Sequence, residues 1–160
     1  MEIHQQELEF ISYHDSLTGA LNRHALYERT DKFELGSCQG VIFGDIMGLK
    51  KLNDSKGHEA GDALIKNIYR TMLRHFPTGD VFRIGGDEFI ILSGASTEEE
   101  LHRKKDLLSS ELEAEGNFIA LGCAWTDDYS GNYGELERSA DNQMYEYKKA
   151  FYKEHPEFKR

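Results

Sequence analysis

Two strand-like runs, Val81-Phe82-Arg83-Ile84 and Phe89-Ile90-Ile91-Leu92, are separated by only the four residues Gly85-Gly86-Asp87-Glu88. Short runs rich in β-branched and aromatic residues read as strands, and a glycine-containing connection of this length folds one strand back on the other. An antiparallel hairpin in mid-chain excludes a purely parallel, doubly wound sheet. It also puts two carboxylates, Asp87 and Glu88, at the tip of a turn. A third run, Val41-Ile42-Phe43-Gly44-Asp45-Ile46, is apolar except for one acid near its end, the pattern of a strand covered on both faces.

Helices to cover that sheet are legible on either side of the hairpin. Residues 1–14 mix Glu2, Gln5, Gln6 and Glu7 with Leu8, Phe10 and Ile11 and predict a polar connecting helix, with no secretory signal. Asn22 can cap a helix running to about Lys32. Leu64, Ile65, Ile68 and Met72 recur at helical spacing and predict a helix from about His58 to His75, closed by Pro77 and Gly79. Ser96 with Glu99, or Thr97 with Glu100, opens another helix buried through Leu101, Leu108 and Leu112. A strand over 118–125 and a final helix defined by Leu136, Ala140, Met144 and Tyr147 complete the chain. This order predicts an α+β, ferredoxin-like or palm-type domain over 15–160, with a largely antiparallel sheet flanked by helices. At 160 residues the chain is long enough for one self-sufficient core.

Charge narrows the function. With 19 Lys and Arg against 29 Asp and Glu, the net charge of −10 argues against gripping nucleic acid or an anionic membrane. Any polyanion must be held by a local cluster. No apolar run approaches a membrane span, and Cys38 and Cys123 are too few for a disulfide framework or a zinc site, so a cytoplasmic location is expected. The seven histidines show no metal-ligand spacing.

If the strand ending in Asp45 pairs with the hairpin, Asp45 and Asp87 converge at one sheet edge. Oxygen ligands without a Cys or His cluster suit magnesium, which takes one or two carboxylates and completes its shell with water and phosphate. An isolated strand-end Asp is more often a cap or turn residue, but two converging acids with Glu88 alongside weaken that reading. Met47-Gly48-Leu49-Lys50-Lys51 begins a short helix whose free N–H groups, with Lys50, suit a phosphate. Asn53 and Asp62 flank residues 54–61, read as a loop, and could converge on guanine, whose N1–H and amine match a carboxylate; helix capping by Asp62 is the rival reading.

These residues together resemble the GGDEF domain of diguanylate cyclases, the family that condenses two GTP into cyclic di-GMP. The signature stands at Gly85-Gly86-Asp87-Glu88-Phe89. Asp15-x-Leu17-Thr18-Gly19-x-x-Asn22-Arg23, Asp45, Gly48-Leu49-Lys50, Asn53-Asp54, Gly57-His58, Gly61-Asp62, Arg83, Ala140-Asp141, Met144-Tyr145 and Lys148 follow in family order across nearly the whole chain. The resemblance implies one GTP per domain and a homodimer for turnover. It implies magnesium, with manganese as the alternative ion, on Asp45, Asp87 and the Ile46 carbonyl. Phosphates would be held by Gly48, Leu49, Lys50 and Lys148, and guanine by Asn53 and Asp62. Glu88 is the additional catalytic acid or base, with its role and that of Asp87 left interchangeable. A sensory or regulatory domain absent from this chain would be joined through the connecting helix of residues 1–14. The alternatives are a catalytically silent GTP-binding module that regulates an attached domain, and a cyclase using a single nucleotide. Tyr152 stands where the family often has an Arg, and the family's product-binding Arg-x-x-Asp motif would fall on Phe76 and Gly79, which cannot supply it. Arg83 is expected to make a structural ion pair.

Overall fold

The computed structural model describes residues 2–158. Four strands, β1 (Gln39–Ile46), β2 (Val81–Arg83), β3 (Glu88–Ser93) and β4 (Ile119–Thr126), form one sheet in the order β2-β3-β1-β4, with every neighbouring pair antiparallel. The helices are α1 (Glu2–Tyr13), α2 (Arg23–Asp31), α3 (Leu49–Lys56), α4 (His58–His75), α5 (Glu98–Ala114) and α6 (Tyr133–Glu154), with single 3₁₀ turns at Thr78–Asp80 and Pro156–Phe158. The α+β architecture expected from the sequence is the one observed.

Period-2 alternation divides β1 between two cores. Ile42 and Ile46 face one cluster with Phe89 and Ile91 of β3, Ile65, Ile68 and Met72 of α4, and Leu101, Leu108 and Leu112 of α5. Val41 and Phe43 face the other, with Phe82, Ile90 and Leu92 of the hairpin, Leu26 of α2, and Ala140 and Met144 of α6. Phe82 and Phe89 are fully buried on opposite faces; truncating either to Ala would cost about 3–5 kcal/mol. The alternation decides where the acid of β1 goes. Asp45 has the parity of Val41 and Phe43, so it emerges on the face covered by α2 and α6.

Local sequence fixes the helix ends. Asn22 accepts a hydrogen bond from Ala25 N at the start of α2, and Thr97 accepts one from Glu100 N at the start of α5. Glu100 reaches back to Ser96 N, one residue earlier than a strict reciprocal box. Residues 54–61, expected as a loop, are instead the end of α3, a single break at Gly57, and the first turn of α4. Tyr147, expected on the buried stripe of α6, lies 39% exposed; Ala140 and Met144 are buried.

Candidate active site

β1 and β3 are in register so that Asp45 lies directly opposite Glu88. Cross-strand partners project from the same face of a sheet, so the two carboxylates share the side on which α2 and α6 pack. Asp87 ends the turn and Glu88, expected at the turn's tip, is instead the first residue of β3; the Asp87 carbonyl accepts from Ile46 N at 2.8 Å, which ties the turn to the end of β1. The sheet therefore brings Asp45, Asp87 and Glu88 together, as the sequence predicted.

Asp45 is only 8% exposed. Its Oδ2 accepts from Lys148 Nζ of α6 at 2.8 Å, while its Oδ1 is buried with no hydrogen-bond partner. Burial pushes the Asp45 carboxyl up to about 6, and the adjacent Asp87 adds to the rise against the opposing pull of Lys148. Burial and then Asp87 also raise Glu88, whose other charged neighbours are Arg23, Asp141 and Lys148. Lys148 itself is raised, because Asp45 outweighs its burial. One ammonium thus faces a concentration of negative charge.

Such a cluster fits a hard divalent cation. An orphaned carboxylate oxygen beside a second carboxylate lacks a positive partner, and the Ile46 carbonyl ends the same strand. Among the described residues no three His, Cys, Asp or Glu side chains form a ready-made cage. Magnesium does not need one, since it keeps water and substrate oxygens in its shell.

The strand then runs into Met47 and Gly48. Met47 N donates to the Phe118 carbonyl at 2.8 Å, and Gly48 adopts φ +79°, the left-handed region that favours glycine, as the N-cap of α3. No side chain caps this helix, so its first N–H groups are available to an anion. Leu49 turns its side chain to the core and offers only its backbone, whereas Lys50 is exposed.

Asn53, in the last turn of α3, lies against Gly61, where any side chain would collide with Asn53 Oδ1. That oxygen is buried and has no hydrogen-bond partner. Asp62 follows Gly61 and is exposed. The N-cap of α4 is Gly57, so capping is not the role of Asp62. The two residues assigned to guanine therefore sit on adjoining turns.

The ion pair expected of Arg83 is present, within a network whose other members were not read from the sequence, and it holds the signature turn. Arg83 Nη1 donates to both carboxylate oxygens of Asp15, at 2.9 and 3.0 Å, and Nη2 donates to the Gly86 carbonyl at 2.8 Å. Thr18 donates to Asp15 through both its N–H and its hydroxyl. Burial pushes the Asp15 carboxyl up, but the hydrogen bonds from Thr18 and Arg83 outweigh it and hold the group below its ordinary value. An Asp followed three residues later by Thr is a turn signal; its link to Arg83 is not visible in sequence. Arg74 and Asp80, the charges nearest the missing product-binding motif, are both engaged: Arg74 by Glu111 and Glu115, and Asp80 by Arg29.

Residues 12–153 match the family described as diguanylate cyclase, GGDEF domain. The chain belongs to the GGDEF family. It is 31% identical over 147 residues to the diguanylate cyclase DosC of Escherichia coli K12, covering 82% of this chain and 32% of DosC. It is 26% identical to the cyclic di-GMP phosphodiesterase PdeR of the same strain, covering 88% of this chain and 23% of PdeR. The chain thus spans less than a third of either relative. Among solved structures, a microbial GGDEF domain described in a novel interaction mode with cyclic di-GMP superimposes with a TM-score of 0.75 at 31% identity, over 87% of this chain and 94% of the other. Asp87 and Glu88 are therefore the two acids of a GGDEF signature, and Asp45 faces Glu88 from β1. No helix among the described residues is long and apolar enough to cross a membrane.

Proposed function

We propose that this GGDEF domain is a diguanylate cyclase that condenses two GTP into cyclic di-GMP with release of pyrophosphate. The observation that carries the reading is the register that sets Asp45 opposite Glu88 with Asp87 alongside, on the face from which Lys148 approaches. Asp45, Asp87 and the Ile46 carbonyl would hold magnesium or manganese. When bound, the ion supplies charge neutralisation at the phosphates and a lowered pKa for a coordinated hydroxyl. The backbone amides of Gly48, Leu49 and Lys50, the Lys50 side chain and Lys148 would hold the triphosphate. Asp62 would accept from the guanine N1–H and exocyclic amine together, and the Asn53 amide would reach the remaining edge. Glu88, raised by burial and by Asp87, is suited to take the proton from the attacking 3′-hydroxyl, because a base works best with its pKa near the working pH.

One such site holds only half of the reactants. Turnover therefore requires a second copy that presents its GTP in the opposite orientation, and orientation supplies a large share of the rate. We assign residues 1–14 as the connecting helix and 15–160 as the catalytic domain, in the cytoplasm. Helix α1 leaves Ile3, Leu8, Phe10 and Ile11 more than half exposed, as a helix destined for a neighbouring segment would. A second reading, a silent GTP-binding module attached to another domain, is supported by the resemblance to PdeR, which is named for a different activity. Incubating the protein with GTP and magnesium and separating the products by chromatography tests both. Cyclic di-GMP as the product, with specific activity rising with protein concentration, is expected. GTP binding without product would favour the silent module.

A further inference from the structure

The chain continues beyond the family-matched segment, which ends at residue 153, into a turn that folds back on the candidate site. Phe158, in the 3₁₀ turn Pro156–Phe158, places its ring against Gly48: a Cβ there would lie 2.9 Å from Phe158 Cδ1. The ring is held from behind by Phe118 at 5.2 Å and Phe151 at 5.4 Å between centroids, with His155 at 6.1 Å. A second tie joins the same two segments, since Lys51 Nζ in the first turn of α3 donates to the Glu157 carbonyl. Phe118 also fixes the loop directly through the hydrogen bond from Met47 N to its carbonyl. Residues 47–51 are thus clamped by an aromatic cluster from β4's approach, α6 and the terminal turn.

We propose that Phe158 is a positioning residue for the nucleotide: it buttresses Gly48 and so fixes the direction of the N–H groups at the start of α3. The inference rests on the GTP-binding reading above. A left-handed glycine at a helix N-cap is a flexible joint, and flexibility there would spread the orientations of the amides that face the triphosphate. The ring meets Gly48 on the side where a side chain would leave the backbone, so it constrains the joint without using its N–H. Lys51, committed to the Glu157 carbonyl, fastens the turn, while Lys50 stays free for the phosphates.

The test compares the unsubstituted protein with Phe158→Ala, Phe158→Leu and Lys51→Met in two measurements. Amide hydrogen exchange at Met47, bonded to the Phe118 carbonyl, and at Leu52, bonded to the Gly48 carbonyl, should accelerate in Phe158→Ala, be partly restored in Phe158→Leu, and accelerate in Lys51→Met, with α4 amides unchanged. Affinity for a non-hydrolysable GTP analogue with magnesium should fall in parallel, roughly tenfold for Phe158→Ala, within the range that small misplacements of a positioning element produce. Unchanged exchange at Met47 and Leu52 in both Phe158→Ala and Lys51→Met would overturn the buttress. Faster exchange with equal or tighter nucleotide binding would overturn its role in positioning the nucleotide. An unsubstituted protein that binds no GTP analogue would instead overturn the nucleotide-binding reading, with the exchange data still deciding whether the buttress exists.

Discussion

Asp15 and Asp45 are two poorly exposed carboxylates, each paired with one basic side chain, and they are shifted in opposite directions. Asp15 receives donors at both oxygens, from Arg83 and from the backbone and hydroxyl of Thr18, and is held below its ordinary value. Asp45 receives a single ammonium at one oxygen, keeps the other unpartnered, and is pushed up to about 6 by burial and by Asp87. A carboxylate whose acceptor capacity is filled inside the protein is structural. One left with buried, unused capacity beside another acid is poised for a ligand that the fold itself does not provide.

The sharpest way to break this contrast is to neutralise each acid. Asp45→Asn should lower cyclic di-GMP formation by on the order of 100- to 1000-fold, the scale seen when one preorganised electrostatic contact is lost. Its thermal midpoint should be no lower than that of the unsubstituted protein, because a buried charge next to Asp87 has been removed. Near-normal product formation by a folded Asp45→Asn protein would contradict the assignment.

Asp15→Asn should do the reverse, losing about 1.5–3 kcal/mol of stability in denaturant titration, the usual worth of a hydrogen bond to a charged group. The sign of its pH dependence follows from the lowered folded value. The stabilisation from Asp15 is complete above the ordinary value of 3.8 and is lost as pH falls through the lower folded value. The stability gap between the two proteins should therefore be constant from neutral pH down to about 4 and close below it. A gap that widens on acidification would show that Arg83 and Thr18 do not favour the charged form.

Asp62 offers a third carboxylate, exposed and on the turn next to Asn53. Its exposure places its contribution at the low end for a charge-assisted contact, so Asp62→Ser should reduce preference for GTP over ATP by about tenfold. Equal affinity for GTP and ATP in the unsubstituted protein would remove Asp62 from guanine recognition. The smallest effect is expected at Arg74, whose guanidinium, like that of Arg83, is used within the protein. Arg74→Ala should leave cyclic di-GMP affinity unchanged in calorimetry with the active site filled. Tight binding that disappears in this variant would show that Arg74 can leave Glu111 and Glu115 for a product phosphate.

What the sequence made legible follows the range of the forces involved. The hairpin, the buried run of β1 and the span of α4 depend on local alternation, helical spacing and caps, and they are where the pattern placed them. The convergence of Asp45 with Asp87 and Glu88 was legible once β1 was expected beside the hairpin. The partners Lys148 for Asp45, Asp15 for Arg83 and Phe158 for Gly48 were not, because each joins residues far apart in the chain whose types are common on any surface. Residues 54–61 misled for the opposite reason: Gly57 and Gly61 looked like loop punctuation, yet Gly57 is one break between helices and Gly61 is a close-packing position against Asn53.

The position of β1 between β3 and β4 has a consequence for how the molecule is made. Both partners of this strand lie later in the chain, and its terminal pair joins Ile46 to Ile119. Contacts of such long sequence separation form late and slow the search for the folded state. During synthesis, β1 leaves the ribosome before either neighbour, and until residue 126 is available one of its edges has no strand to pair with. The strand that carries the central acid of the site is thus among the first to be made and the last to be enclosed, and a chain stopped before β4 would expose a row of unpaired backbone N–H and C=O groups to its neighbours.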